Sequence, residues 1–244
     1  MKSFFAIIIT ASLLCISVAH AGLLDELEKK SKEFVDKKRN GGGELDSNTI
    51  IAGLKEALSI GAQNGVKTVS QTDGYFGNQL IKILVPEKIQ KIAKLMRKAG
   101  FHKEVDQFEL SMNRAAEKAG PQALVFFTDA VKEMTIPDGI KILRGKDTEA
   151  TDYLKSKTYD KIYGSFKPVV SSAMNDVGVT KSFKEMMDKA RTIPFLKRET
   201  VDLDEYVTSK ALDGLFLMVG QEEKKIRKDP VARVTDLLKK VFKQ

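Results

Sequence analysis

The fold class follows from residues 202–228, which read DLDEYVTSKALDGLFLMVGQEEKKIRK. Apolar side chains first recur at helical spacing and then run almost without interruption from Leu212 to Val219. A helix that is apolar on all sides is normally buried. Gly214 lowers helix propensity by about 1 kcal/mol relative to alanine, so we expect another helix to cross closely at that point. This stretch therefore predicts a buried helix in the core of the domain.

The same three- and four-residue spacing of apolar side chains continues through the rest of the chain, and sustained period-two alternation is hard to find. We therefore predict an all-α fold class, with a single domain over residues 44–244 made of roughly nine to ten helices. One helix is predicted from about His102 to Ala119. Thr135 and Asp138 have the capping-box pattern at the start of another helix.

Local features predict where the regular pattern changes. Pro168 is expected to kink or divide its helix, because proline lacks the N–H that the helix needs. The segment from Leu80 to Val85 is compatible with either a short extended piece or a helical turn. Asp229 and Pro230 are expected to begin the last helix. The apolar stripe of that helix consists of Val231, Val234, Leu237, Leu238 and Val241.

The N-terminus has the features of an export signal. A basic residue precedes an apolar run over residues 4–18, and Ala19-His20-Ala21 supplies small residues before a cleavage site. The run is shorter than the roughly 20 residues that a membrane span needs. We expect cleavage after Ala21 and an exported protein without a transmembrane segment. Cys15 raises a lipoprotein alternative, which is disfavoured because Leu14 stands where a small residue normally precedes a lipid-modified cysteine.

Residues 22–43 are predicted to form an amphipathic helix followed by a glycine linker. Apolar side chains lie along one stripe of the helix, and Gly41–Gly43 come after a run of basic residues. The helix is expected either to pack on the main domain or to serve as an arm that binds a membrane surface or a partner.

Charge gives a second indication about partners. The chain has 41 basic and 33 acidic side chains, a formal net charge of +8. The lysines are spread among acidic residues at helical spacing, so a solvated surface is the simplest interpretation. The alternative is peripheral contact with anionic lipid headgroups or polymers of the envelope. The sequence has no recognisable nucleic-acid-binding motif, and we expect no nucleic acid as partner.

The residue types restrict the possible chemistry. After the proposed cleavage the chain has one histidine, His102, and no cysteine. We therefore expect no metal site and, because nucleotide-binding glycine patterns are absent too, no cofactor. Asp202 does not begin an EF-hand, since Val207 stands where that loop needs glycine. Acid–base catalysis by carboxylates stays open, although the sequence selects no pair and no catalytic residue. The composition favours a non-enzymatic role.

A candidate polar cluster is built around the helix predicted from His102 to Ala119. Leu110 and Arg114 project away from the core face of this helix, and Leu110 is out of place on a solvated surface, so we expect a second helix to cover them. An enclosed Arg114 requires a carboxylate, for which Glu117, Asp138 and Asp236 are candidates. The predicted binding or structural cluster consists of Asn113, Arg114, Glu117, Asp138, Arg227 and Arg233.

This cluster has two interpretations. It is either a structural lock between the middle and C-terminal helices or an anion-binding pocket. Under both interpretations, replacing Arg114 with methionine is expected to cost several kcal/mol, because a buried carboxylate would lose its partner.

Several blocks of the sequence are similar to a known family. ELSMNRAAE at 109–117, MTIPD at 134–138 and ATDYL at 150–154 resemble the bacterial domain-of-unknown-function family number 4197. So do the blocks of the final stretch: DL at 202–203, YVT at 206–208, ALDGLF at 211–216, EE at 222–223, IR at 226–227 and residues 230–242. Gly139 and Leu154 depart from the residues expected at their positions. The resemblance extends from about Ile50 to Phe242, and it implies an exported protein of the Gram-negative periplasm. It implies no particular activity.

Three functional hypotheses follow from these observations. The first is a non-catalytic binding protein that uses a groove between helices for a protein partner or an apolar ligand. The second is a hydrolase or lyase that depends on carboxylates and arginine. The third is a protein held at the envelope surface by its basic face, whose binding would weaken steeply with added salt.

Overall fold

The computed structural model of the protein describes residues 46–193 and 200–242. Nine α-helices make up this part of the chain: α1 (Ser47–Ser70), α2 (Glu87–Lys98), α3 (His102–Ala119), α4 (Ala123–Glu133), α5 (Ile136–Arg144), α6 (Glu149–Asp176), α7 (Val179–Ala190), α8 (Leu203–Lys228) and α9 (Asp236–Val241). Single 3₁₀ turns span Gly120–Gln122 and Pro230–Ala232. The described residues contain no β-strand, and the predicted all-α fold class is confirmed. The amphipathic helix predicted within residues 22–43 lies outside the described residues.

The core is built on α1, α3, α6 and α8. Helix α1 packs along α8, while α6 packs against both α8 and α3, and α7 covers α3. At the crossing of α1 and α8, a Cβ added to Gly65 would lie 2.8 Å from Cγ2 of Val219. Glycine therefore lets the two helices approach closely. The largest fully buried side chains include Leu54, Phe108, Met112, Phe127, Leu154, Ile162 and Phe166.

Several helix boundaries agree with the sequence prediction. Helix α3 has the predicted bounds, and the capping box at the start of α5 is confirmed. There the Asp138 carboxylate accepts the Thr135 N–H at 3.0 Å, and the Thr135 hydroxyl accepts the Asp138 N–H at 3.4 Å. Asp202 caps α8, because its carboxylate accepts the N–H of Glu205 at 2.9 Å.

Pro168 does not divide its helix. Helix α6 continues without interruption from Glu149 to Asp176. Pro168 and Gly164, four residues earlier, are both exposed, so water can reach the Gly164 carbonyl that loses its helical donor. The opposite face of the helix buries Phe166 and Val170, and this packing holds the helix together across the proline.

The chain after α8 does not form the single helix that was predicted. Asp229 accepts the N–H of Val231 at 2.8 Å, but it begins only a 3₁₀ turn. Helix α9 starts at Asp236, because the hydroxyl of Thr235 caps it by accepting the N–H of Leu238 at 3.2 Å. The predicted stripe is therefore divided between two elements.

Arg233 explains the direction of the chain between these elements. Its Nε donates to the carbonyl of Ile226 at 3.0 Å, and its Nη2 donates to the carbonyl of Arg227 at 2.6 Å. Both carbonyls belong to the last turn of α8, where they have no helical donor. The chain consequently folds back over the end of α8 and leaves Val231 and Val234 exposed.

Gly214 contacts a turn rather than a crossing helix, so that prediction is wrong, although the close approach is present. A Cβ at Gly214 would lie 2.7 Å from Cε1 of Tyr75 and 3.1 Å from Cβ of Ile81. Both residues belong to residues 71–86, which join α1 to α2 and which we call the connector. The connector has turns and then an extended piece. Leu217, predicted to be buried with its neighbours, is exposed.

Candidate functional site

The structure does not gather the predicted polar residues into one cluster. They lie in three places: Asn113, Arg114 and Glu117 face the connector, Arg227 and Arg233 lie at the end of α8, and Asp138 caps α5. Among residues 46–193 and 200–242, no hydrogen bond or ion pair joins one place to another. The single predicted lock is thus two separate locks and a helix cap.

The first lock, which we call the connector network, centres on the buried carboxylate of Glu117. Its Oε1 accepts the N–H groups of Tyr75 at 3.1 Å and Phe76 at 3.2 Å. Its Oε2 lies 2.6 Å from Nη1 of Arg114, whose Nη2 lies 2.7 Å from Oδ1 of Asp73. Hydrogen bonding to Glu117, and then to Asp73, raises the pKa of the Arg114 guanidinium above its ordinary value. Glu117 therefore fixes a turn of the connector to α3.

Asn113 holds the extended piece of the connector. Its Oδ1 accepts the N–H of Ile83 at 2.8 Å, and its Nδ2 donates to the carbonyl of Ile83 at 2.8 Å. Nδ2 also donates to the carbonyl of Glu109 on its own helix. The amide is fully buried and binds the connector backbone as a neighbouring strand would. The cover that we expected from a second helix is therefore supplied by the connector.

Two tyrosines tie the connector to α8. The Tyr75 hydroxyl donates to the carbonyl of Ala211 at 2.6 Å, and the Tyr206 hydroxyl donates to the carbonyl of Leu84 at 2.9 Å. Burial raises the pKa of the Tyr75 phenol far above its usual range, and the charge of Glu117 adds to this effect. Both hydroxyls therefore stay neutral donors, and the connector is held between α3 and α8.

The second lock, the C-terminal network, centres on the buried carboxylate of Glu223. Its oxygens accept the N–H of Ala150 at 3.0 Å and both the N–H and the hydroxyl of Thr151 at 2.8 Å. Arg227 donates from Nε to Glu223 at 2.8 Å and from Nη2 to the carbonyl of Ile142 at 2.8 Å. Ala150 and Thr151 belong to the first turn of α6, so Glu223 caps that helix from another element.

The two remaining predicted residues act locally. Arg233 binds the carbonyls at the end of α8. Hydrogen bonds from the Thr135 hydroxyl and then from the Thr135 N–H lower the pKa of the Asp138 carboxyl below its ordinary value. The donors of Arg114 and Arg227 are directed at protein carboxylates and, for Arg227, a carbonyl. This arrangement supports the structural-lock interpretation over an anion-binding pocket.

A groove lies between the connector and the first half of α8, and we call it the connector groove. Its volume is about 780 Å³, and residues 80–90 and 201–217 line it. Leu80, Leu84 and Leu217 on its walls are 65%, 52% and 44% exposed, values that are high for large apolar side chains. Charged groups of both signs surround these leucines: Glu87, Lys88, Glu205, Lys210 and Asp213.

Sequence analysis did not select this groove. Leu80 and Leu84 lie in a segment whose spacing did not distinguish an extended piece from a helical turn, and Leu217 lies within a run that was assigned to the core. One feature of the sequence could have indicated the groove: large apolar residues lie in a segment that directly follows two glycine turns. Nothing in the spacing shows that this segment returns to α8.

Other sites in the described residues offer less room for a ligand. A cavity of about 20 Å³ between α1 and α8 would hold about one water molecule. Residues 46–193 and 200–242 contain no group of three or more histidine, cysteine or acidic side chains placed to hold a metal ion. Within the same ranges, no helix has both the length and the apolar character that crossing a bilayer requires.

Comparison with known proteins gives a family but no named relative. Neither the curated proteins nor the solved structures contain a match to this chain. The family described as "Protein of unknown function (DUF4197)" matches residues 44–243, which include all nine helices, both networks and the connector groove. The chain is therefore a member of the DUF4197 family.

Proposed function

We propose that the protein is exported to the periplasm and acts there as a non-catalytic binding protein, which holds an apolar segment of a protein partner in the connector groove. The observation that carries this proposal is the presence of three exposed leucines, Leu80, Leu84 and Leu217, in one groove. Single exposed apolar side chains are ordinary, whereas a group of them surrounded by polar residues is typical of an interaction site.

The shape of the groove favours a protein segment over a small molecule. Small-molecule sites usually enclose most of the ligand in mainly apolar walls. The connector groove is open to solvent, and charged groups of both signs line it together with its leucines. An apolar centre with a polar rim is the usual arrangement of a protein–protein interface.

The groove is also rigid enough to bind without large reorganisation. Its connector wall is hydrogen-bonded to Asn113 and Glu117 on one side and to α8 through Tyr75 and Tyr206 on the other. A preformed wall lowers the conformational entropy that is lost on binding. The connector network and the two tyrosines thus serve the proposed function by holding the connector wall of the groove in place.

No observation favours the hydrolase or lyase hypothesis. The buried carboxylates of Glu117 and Glu223 accept backbone N–H groups and pair with arginines, which are the contacts of structural groups. A catalytic carboxylate needs access to a substrate.

Photo-crosslinking in the native cell tests the groove. A photoreactive amino acid is placed at Leu84 or Leu217, and at Val125 on α4 as a control of similar exposure. We expect the same discrete protein adduct from the two groove positions and none from Val125. A lack of adducts at both groove positions, or the same adduct at all three, would contradict the proposal.

A binding measurement then identifies the occupant. A synthetic peptide with the sequence of the cross-linked segment is titrated into the purified protein by calorimetry. We expect the double substitution Leu84→Ser with Leu217→Ser to weaken binding by about tenfold or more, whereas Val125→Ser leaves it unchanged. A bound apolar small molecule seen by native mass spectrometry, together with a peptide that does not bind, would overturn the protein-partner proposal.

Export is tested separately by the intact mass of the protein in the periplasmic fraction. We expect a chain that begins at Gly22. A lipid-modified species that begins at Cys15, or an uncleaved chain in the cytoplasm, would overturn this part of the proposal.

A further inference from the structure

A second pair of exposed apolar side chains follows the end of α8, outside the lining of the connector groove. Val231 and Val234 in the turn between α8 and α9 are 84% and 67% exposed. Both point into solvent because Arg233 folds the turn back over the end of α8. Two valines this exposed on one short turn do not stabilise the fold by burial.

Two segments at this end of α8 are rich in basic residues. Residues 141–147 and 224–234 together carry eight lysines and arginines but only two acidic residues, Asp147 and Asp229. This excess of six positive charges compares with a net charge of +8 for the whole chain. We call these two segments the basic tip.

Contacts in the structure place the two segments side by side. Arg227 donates to the carbonyl of Ile142 at 2.8 Å, and Lys228 pairs with Asp147. The hydrogen bond from Lys228, with the nearby charges of Lys224 and Arg227, lowers the pKa of the Asp147 carboxyl. The C-terminal ends of α5 and α8 therefore present their basic residues on one part of the surface.

Part of this charge is neutralised within the protein and part is not. Lys141 lies 3.7 Å from Glu149, and Lys225 pairs with Glu222. Three exposed cations of the tip form no ion pair in the described part of the chain: Arg144, Lys146 and Lys224. These three side chains are available to an external anion.

We propose that the basic tip binds the surface of an anionic phospholipid bilayer, with Val231 and Val234 inserted among the headgroups and with Arg144, Lys146 and Lys224 directed at the phosphates. Exposed apolar side chains beside lysines and arginines fit this surface, because the interface offers both a low-polarity layer and negative charge. A soluble polyanion would use the cations and gain nothing from the valines. The proposal does not depend on the connector groove.

Vesicle co-sedimentation tests this proposal. The chain from Gly22 onward is mixed with phosphatidylcholine vesicles, with or without about 30 mol% phosphatidylglycerol. We expect binding to the anionic vesicles only. Replacing Arg144, Lys146 and Lys224 with glutamine should weaken it on the order of 100-fold, since each cation near an anionic surface contributes about 1 kcal/mol. Replacing Val231 and Val234 with serine should weaken it about fivefold or more.

Matched substitutions elsewhere on the surface separate the tip from overall charge. The control variants are the triple change of Lys94, Lys98 and Lys103 to glutamine and the single change Val125→Ser. All four residues are exposed, and none forms an ion pair within the described ranges. We expect both controls to bind within about twofold of the unsubstituted chain. Every variant keeps residues 22–43, so differences between variants report on the tip.

Three outcomes would overturn the proposal. Equal loss of binding in the lysine control would show that only net charge matters. Unchanged binding in the valine variant, with equal affinity for heparin, would identify a soluble polyanion as the ligand. Binding of every variant as tightly as the unsubstituted chain would place the membrane contact outside the tip.

Discussion

The connector network and the C-terminal network contain the same kinds of residue but differ in how far their arginines are exposed. In each, a buried glutamate accepts backbone N–H groups from a distant segment and pairs with an arginine on its own helix. The side chain of Arg227 is only 11% exposed and also binds the carbonyl of Ile142, whereas that of Arg114 is 30% exposed and pairs with the exposed Asp73. The residue pair alone therefore does not determine how much each network stabilises the fold.

The difference follows from what each glutamate holds. Glu223 caps the first turn of α6, so it acts on a helix that belongs to the core. Glu117 holds a turn of the connector, which joins two helices and carries the groove leucines Leu80 and Leu84. A network that caps a core helix is expected to govern global stability, and one that holds a connecting segment is expected to govern the order of that segment.

The largest effect is expected from replacing Glu223 with alanine. The change leaves Arg227 buried without its carboxylate and leaves the N–H groups of Ala150 and Thr151 without an acceptor. We expect a loss of about 3–5 kcal/mol in the free energy of unfolding, measured by urea denaturation. The matched change Glu117→Ala leaves two connector N–H groups without an acceptor, beside an arginine that water can reach. We expect it to lower the free energy of unfolding by about 1–3 kcal/mol. Equal losses in the two variants would mean that the networks are equivalent.

Hydrogen exchange sharpens the same comparison. In Glu117→Ala we expect faster exchange confined to the connector amides, because the rest of the core keeps its contacts. In Glu223→Ala we expect faster exchange throughout the domain. Protection of the connector that is the same as in the unsubstituted chain would show that Glu117 does not hold it.

Substitution of the two arginines is expected to give the next largest difference in stability. Arg227→Met should cost about 1.5–3 kcal/mol, because charge-assisted hydrogen bonds to Glu223 and Ile142 are lost in a buried place. Arg114→Met should cost less than about 1 kcal/mol, since solvent screens its pairs and Glu117 keeps two backbone donors. This is smaller than the several kcal/mol that the sequence suggested, because the structure leaves Arg114 partly exposed.

Salt separates the two arginine effects. The free energy of unfolding of both variants is measured with urea at low salt and at about 1 M salt. Raising the salt concentration should reduce the stability loss caused by Arg114→Met and leave the loss caused by Arg227→Met nearly unchanged, because salt screens exposed charges far more than buried ones. A cost for Arg114→Met that exceeds that for Arg227→Met at both salt concentrations would reverse the proposed order.

The parts of this structure that were predictable are those set by local sequence. The bounds of α3 and the capping box at Thr135 depend on residues a few positions apart. The ion pair of Glu223 with Arg227 is local in the same sense, because the two residues are four apart on one helix.

The parts that were not predictable depend on residues distant in sequence. Glu117 and Asn113 bind backbone groups of the connector. Every residue except proline has a backbone N–H, so the sequence does not show which of them a side chain will bind. The connector groove requires Leu84 to meet Leu217 across more than a hundred residues. Arg233 folds the last turn back through carbonyls, so the exposed positions of Val231 and Val234 could not be read from their apolar spacing.

Two glycine substitutions test how firmly the connector is held against α8. Gly214→Ala would place a methyl group 2.7 Å from the Tyr75 ring, so we expect a net loss of about 1–3 kcal/mol and a displaced connector. Gly164→Ala on α6 is the control, because a Cβ there meets nothing within 4 Å. It should stabilise the protein by about 0.5–1 kcal/mol through helix propensity. Stabilisation by both changes would show that the connector yields easily at Gly214.

Asp138 supplies a half-buried reference for the two buried glutamates, and its effect should be the smallest. It accepts the N–H of Thr135, as Glu117 and Glu223 accept N–H groups, but it is only half-buried, and within residues 46–193 and 200–242 it forms no ion pair with an arginine. The Thr135 hydroxyl and N–H hold the pKa of the Asp138 carboxyl below its ordinary 3.8 in the folded protein. Its stabilising effect is therefore fully present above that ordinary value and is lost as the pH falls through the lower folded pKa.

The experiment compares urea unfolding of the unsubstituted chain and of Asp138→Asn across the acid range. The asparagine still accepts a hydrogen bond but carries no charge at any pH. At about pH 6 we expect the substitution to cost about 0.5–1 kcal/mol, a value kept low by solvent around the carboxylate. The two stabilities should converge as the pH falls below about 3, because the aspartic acid is then neutral too. A difference that stays constant down to about pH 2 would mean that the hydrogen bond, and not the charge, stabilises the cap. The cap would then differ in kind from the two buried networks, whose arginines require a charged partner.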